Sequence, residues 1–259
     1  MAMRLRSAPQ RKWITRWKAF LEWTDQHSDS RWVFRGLGDE LFSLTPSVGR
    51  TSKYELAQEL AVLELFKRRL PEFRDEASLS QLDHLALAQH HGLPTRLLDW
   101  TTNPLVAAFF AVTSPPGTRQ VRLVLDSGRI ARKPISATPH PKVVTARIVA
   151  FRTKGAMSLE PSVDPFAQSD VGFYWPRAVT NRITNQGGLF SVHAEPNVPW
   201  GQPLLDPDHI FDIPGEMRGF FRRRLFYLGV DHQRIMGGVD GLGTRVAWQY
   251  EAKIGLGTL

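Results

Sequence analysis

Apolar residues along this 259-residue chain recur first at helical spacing and later at strand spacing. Trp13, Trp17, Phe20, Leu21 and Trp23 mostly follow an i, i+4, i+7, i+8 rhythm, which predicts an amphipathic helix over residues 11–24. Trp32-Val33-Phe34-Arg35-Gly36 reads as a short strand behind the turn-forming Ser28-Asp29-Ser30, with Phe34 and Arg35 on opposite faces. Residues 53–70 form the clearest helix: Ser52 and Glu55 make a capping box, Leu56, Leu60, Leu63 and Leu70 mark one stripe, and Pro71 stops it. Another helix covers 80–91, with Ser80 and Asp83 at its start and Gly92 at its C-terminal cap. The next is capped by Asn103 and has Pro104 at its first position. Its body, Leu105 to Val112, is apolar all round, so it must be buried.

Alternation then takes over. Val121, Leu123 and Leu125 face one way and Arg122 and Asp126 the other, as a half-buried strand requires. Further strands are expected over 143–151 and 189–193. Loops are expected over 127–140, 152–176 and 196–214, the last with five prolines. A helix over 215–229 would bury Met217, Phe220, Phe221, Leu225 and Leu228 and turn Arg222, Arg223 and Arg224 largely outward. Residues 245–253 read as a last strand or short helix. Without repeats or a long polar linker, residues 1–259 read as a single α+β domain with a core over about 15–250, helices mostly early and strands mostly late.

Composition narrows the chemistry. Cysteine is absent, which excludes disulfides, thiolate nucleophiles and Cys-based zinc sites, and fits a cytoplasmic protein. No run of eighteen apolar residues occurs, and the basic N-terminus lacks the apolar segment of a secretory signal, so no membrane association is expected. The net charge of +8 favours an anionic partner such as nucleic acid, a nucleotide or an acidic protein surface. No Gly-rich phosphate loop, HExxH or GxSxG occurs. Nor is an acidic metal cluster visible, which disfavours a nuclease or phosphohydrolase. The polar turn 92–101, pinned between two buried helices, is the candidate site. Within it Arg96 and Asp99 suit an ion pair that staples the turn, and Trp100 suits the core or a stacking role. His90 and His91 end a helix, where an imidazolium favours the dipole, and His91 beside Gly92 could reach a ligand. Tyr174 and Trp175, in an irregular stretch, could present an exposed ring for stacking. Arg182, four residues before Gln186, could join a phosphate grip or be solvated.

Three segments carry a resemblance. They are Phe34-Arg35-Gly36; Ala88-Gln89-His90-His91-Gly92-Leu93-Pro94-Thr95-Arg96-Leu97-Leu98-Asp99-Trp100-Thr101, continuing through Asn103-Pro104 to Ala111; and Pro176-Arg177, Asn181-Arg182-Ile183 and Gln186-Gly187-Gly188-Leu189-Phe190. In this order they resemble the FRG domain family of bacterial and phage-associated proteins, itself similar to ADP-ribosyltransferases. That likeness implies a split, mostly antiparallel β structure with helices packed against it, and NAD held in the cleft. Arg35 would then be the first element of the catalytic set, Thr95 or Thr101 the second and Gln186 the third. His91, Arg96, Asp99, Trp100, Thr101, Tyr174, Arg182 and Phe190 would line the cofactor. The implied activity is transfer of ADP-ribose to nucleic acid or protein, in a toxin or antiphage defence setting, under a neighbouring antitoxin or regulator. A non-catalytic nucleotide- or nucleic-acid-binding module is the alternative. Breaking the nicotinamide–ribose bond builds an oxocarbenium-like centre that a carboxylate stabilises. Gln186 carries no charge, so another acid (Asp99, Glu195 or Glu251) would have to enter the cleft, or the domain binds without cleaving.

Overall fold

The computed structural model describes residues 8–73, 79–121, 135–176 and 187–255. At its centre lies a six-stranded antiparallel sheet. Its strands are β1 (Trp32–Leu37), β2 (Leu97–Thr101), β5 (Ala146–Arg152), β6 (Gly172–Tyr174), β7 (Gly188–Val192) and β8 (Ile210–Ile213), in the order β6-β7-β2-β1-β5-β8. Strands β3 (Arg119–Val121) and β4 (Ile135–Ala137) pair separately. The pairing is uneven. β1 follows β5 from Trp32 opposite Arg152 to Leu37 opposite Arg147, and β2 follows β7 from Leu97 opposite Val192 to Thr101 opposite Gly188. Between β1 and β2 the register holds a single pair, Phe34 opposite Thr101. The sheet is thus two three-stranded halves joined at one point, and beyond that point the strands part.

Helices fill one face of the β1 half. Helix α1 (Ala8–Gln26) supplies Trp17, Phe20 and Trp23, α4 (Pro104–Thr113) supplies Val106 and Phe109, and α5 (Arg218–Tyr227) supplies Phe221 and Leu225. They pack on Phe34, Ile148, Ala150 and Phe211 of the sheet. The opposite face carries Val33, Leu98, Trp100, Val149, Phe151 and Phe173, covered by Trp200 and Leu204. Helices α2 (Leu56–Arg69) and α3 (Gln81–His90) join a third cluster through Leu63, Leu82 and Leu85, which meet Leu97, Tyr174 and Phe190. Burying these apolar side chains supplies the main drive to fold. None of the described helices is long and apolar enough to cross a membrane.

Local signals fix most helix ends. Ser80 and Asp83 form a reciprocal capping box, with Asp83 N donating to Ser80 Oγ (3.0 Å) and Ser80 N to Asp83 Oδ2 (3.1 Å). Gly92 follows α3 at φ +89°, where a side chain would be strained. Asn103 Oδ1 accepts from Leu105 N at 2.9 Å, with Pro104 at the first helical position of α4.

Several expectations need correction. The capping box at Ser52 and Glu55 does not form: Ser52 lies in a turn, and the Glu55 side chain makes no capping bond to the backbone of α2. The buried face of α2 is also rotated from the leucine stripe, with Glu59 and Leu63 inward and Leu56 and Leu60 exposed, because Glu59 meets a buried arginine. The third strand starts at Ala146, not Val143, since Pro141–Val143 is a 3-10 turn. Strands β4, β6 and β8 lie within stretches read as loops: with three or four residues each, they are too short to show periodicity. Residues 215–229 form a 3-10 turn and then α5, which leaves Leu228 exposed rather than inward. The last segment is helical, with α6 (His232–Met236) and α7 (Gly238–Glu251), so helices stand at both ends of the chain. Leu123 and Leu125 lie outside the described residues.

Candidate functional site

The triplet Phe34-Arg35-Gly36 does three different things because successive strand residues face opposite ways. Phe34 is buried against Trp23 with the helices of the first cluster. Gly36 lies under α4: a Cβ there would stand 2.0 Å from the Ala107 carbonyl oxygen and 2.6 Å from Ala111 N. Arg35 reaches across the gap where β1 and β2 part. Its Nη1 donates to the Asp99 carbonyl oxygen and lies 3.7 Å from Asp99 Oδ2. Only 14% of the Arg35 side chain is exposed, against 68% for Asp99. Arg35 Nε is buried with no hydrogen-bond partner among the described residues. Burial lowers the pKa of this guanidinium; Asp99 opposes that shift and Arg50 adds to it.

Asp99 is held from its other side by Gln89, on the last turn of α3. Gln89 Nε2 donates to Asp99 Oδ1 at 2.9 Å, and Thr95 Oγ1 donates to Gln89 Oε1. The carboxylate settles which way the amide faces, since it only accepts and so requires Nε2; Oε1 is then left to accept from the Thr95 hydroxyl. A chain Thr95–Gln89–Asp99–Arg35 therefore crosses the split. It opens on a cleft of about 310 Å³, floored by Phe34, Arg35, Gly36, Asp99 and Thr101. Gln89 and His90 of α3 wall one side, Phe110 and Ser114 another, and Gly188 to Phe190 of β7 a third. That size is at the lower end for small-molecule sites, and its mix of aromatic and convergent polar groups is typical of them.

Several predicted residues meet here. Arg35, Asp99, Thr101 and Phe190 line the cleft, with Phe190 opposite Asp99 in the ladder. Thr101 is buried, and its hydroxyl accepts from Asn103 N at 3.1 Å. Thr95 is buried beneath the cleft and acts through Gln89. His91 is exposed beside His90, and it is His90 that lines the wall. Trp100 borders the cleft, but its ring belongs to the core, where Nε1 donates to Ser191 Oγ at 2.9 Å. Tyr174 is not an exposed stacking ring: it is buried in the α3 cluster and donates to Asp83 Oδ1 at 2.5 Å. Gln186 and Arg182 lie outside the described residues. Of the other candidate acids, Glu195 lines a separate hollow with His193 and Trp200, and Glu251 ends α7, exposed.

Arg96 pairs with a different acid from the one expected. It turns away from Asp99 and is buried against Glu59, with Nε to Oε1 at 3.0 Å and Nη2 to Oε2 at 2.7 Å. Nη1 donates to the Pro165 carbonyl at 3.1 Å, and the guanidinium lies 4.1 Å from the Phe166 ring centre. Tyr54 completes the cluster by donating to Glu59 Oε2 at 2.7 Å, and burial with the Glu59 contact pushes its pKa up to about 12. In a strand the side chains at 96 and 99 point opposite ways, so the two could not pair once β2 formed.

Gln89, His90, Arg50, Phe110 and Ser114 are the lining residues that periodicity missed. A signal existed for Gln89. It is the polar residue closing a helix whose Leu85, Ala86, Leu87 and Ala88 are all buried.

The fold and cleft define an α+β protein with an arginine set into the split of its sheet. Residues 30–119 match the family model of the FRG domain, a range that runs from the turn before β1 into β3 and includes Arg35, Gln89 and Asp99. The third segment of the resemblance, around Gln186, lies beyond the matched range. No curated protein and no solved structure matches the chain.

Proposed function

We propose that the cleft binds NAD and transfers its ADP-ribose to a macromolecular target. The observation that carries the reading is Arg35 in the gap between β1 and β2, facing a cleft that also holds one exposed carboxylate, Asp99. A guanidinium matches a phosphate oxygen pair with its planar fork, so Arg35 takes the pyrophosphate. Phe110 and His90 supply ring surface for the nicotinamide. When the bond between C1′ and the nicotinamide nitrogen breaks, its electron pair leaves with the ring. The positive centre left at C1′ is stabilised by Asp99. The acceptor's nucleophile then bonds to C1′ and gives its proton to Asp99 or water. Asp99 thus takes the role that an uncharged Gln186 lacks. The split antiparallel sheet supports the likeness to ADP-ribosyltransferases, and the net charge of +8 favours a nucleic-acid acceptor.

Asp99 is already engaged by Arg35 and Gln89. This favours a second reading, a nucleotide-binding module without turnover. The test is nicotinamide release from NAD, alone and with RNA, DNA or protein extract. Release that falls about 10²–10³-fold in Asp99→Asn supports transfer. Arg35→Ala should lose both binding and release while the melting temperature stays nearly unchanged. NAD binding without release supports the module, and absence of both sinks the NAD reading.

A further inference from the structure

Beyond the Arg35–Asp99 contact lies a second hollow of about 340 Å³ that shares Arg35, Gln89 and Asp99 with the cleft and adds Ser47 and Arg50. Arg50 is set there by backbone. It ends a 3-10 turn (Ser47–Arg50), and its Nε donates to the Thr45 carbonyl at 2.9 Å. The turn is seated at Gly49, where a Cβ would stand 1.8 Å from the Pro196 carbonyl oxygen. Ser47 Oγ accepts from Thr95 N at 3.1 Å, which ties the same turn to the start of β2. No carboxylate pairs with Arg50 among the described residues. Two guanidiniums and one carboxylate therefore face a single hollow, which leaves it net positive. Repulsion from Arg50 adds to the effect of burial on the Arg35 guanidinium. Like charges held together without enough counter-charge cost stability, and a dianion placed between them relieves that cost.

We propose that Arg35 and Arg50 form a diphosphate-binding site, so that the ligand carries two linked phosphates reaching from the cleft into the second hollow. Each guanidinium takes one phosphate through its fork, and a single phosphate engages only one of them. The site deepens the NAD reading by assigning the second phosphate a residue, and it can be tested without NAD.

The experiment is calorimetric titration of the full chain and its Arg50→Ala and Arg50→Lys variants with inorganic pyrophosphate and orthophosphate, then with NAD and nicotinamide mononucleotide. Pyrophosphate should bind the unaltered protein more tightly than orthophosphate. Arg50→Ala should weaken pyrophosphate and NAD by about ten- to a hundredfold and leave orthophosphate and the mononucleotide nearly unchanged. Arg50→Lys should restore part of the loss by keeping the charge. Pyrophosphate binding that ignores Arg50, or no such binding by the unaltered protein, overturns the site. Arg50-dependent pyrophosphate binding without NAD binding keeps the site and removes the NAD reading.

Discussion

Gln89 donates to Asp99 across 2.9 Å, and its amide is held in that sense by the hydroxyl of Thr95, a residue that never reaches the cleft. The carboxylate is aimed by a relay that begins in the core. Removing the first link lets the amide rotate.

Thr95→Val should therefore lower nicotinamide release by about tenfold to a hundredfold through misplacement of Asp99. Pyrophosphate binding should be unchanged, and Thr95→Ser should recover most of the rate. A loss shared equally by release, pyrophosphate binding and melting temperature would make Thr95 a purely structural residue.

Glu59→Gln leaves Arg96 charged and buried without its counter-charge. Such a loss costs about 3–5 kcal/mol, and denaturant unfolding should show it. Replacing both partners together, Arg96→Met with Glu59→Leu, should recover much of that stability because neither charge is stranded. If the single variant is as stable as the parent, the pair contributes nothing.

Gly36→Ala should be the most damaging small change in the triplet. Its Cβ would meet backbone of α4, not a side chain that can swing away. Overpacking of this kind costs about 1–3 kcal/mol or more. Thermal unfolding checks it, and Gly219→Ala is the control because a Cβ there meets nothing within 4 Å.

His193 gives the fold an acid limit. Burial, then the charges of Arg35 and Arg96, push its pKa down to about 3, and Ser191 Oγ lies 2.8 Å from Nε2. The folded value is below the unfolded one, so the unfolded chain binds more protons between roughly pH 6.5 and 3. Stability should fall with acidification across that window by about 1.4 kcal/mol per pH unit from this group. His27 and His232, also lowered first by burial, add to the same trend. Urea unfolding at a series of pH values should show a shallower slope in His193→Gln. An unchanged slope would assign the acid sensitivity elsewhere.

Legibility in the sequence depended on how local each signal was. Asn103-Pro104 and Ser80 with Asp83 specify helix starts through bonds to their own neighbours, and both ends form as read. Arg35 and Phe34 separate correctly because alternation is a property of one strand. The partner of Arg96 was hidden because Glu59 is thirty-seven residues away, on a helix whose leucines advertised a different face. Arg50 and Gln89 enter the site only when a turn and a helix end fold onto β2, and no periodicity carries that. Tyr174 read as exposed because its strand is three residues long.

The missing side chain at position 36 also works as a gauge. Phe110 and Ser114 reach the cleft only because α4 rests directly on the backbone of β1, with nothing between them. The distance from that wall to the floor is thus fixed by main-chain contact, which no rotamer can adjust. Anything admitted there must suit an aperture whose dimension is written in an absence.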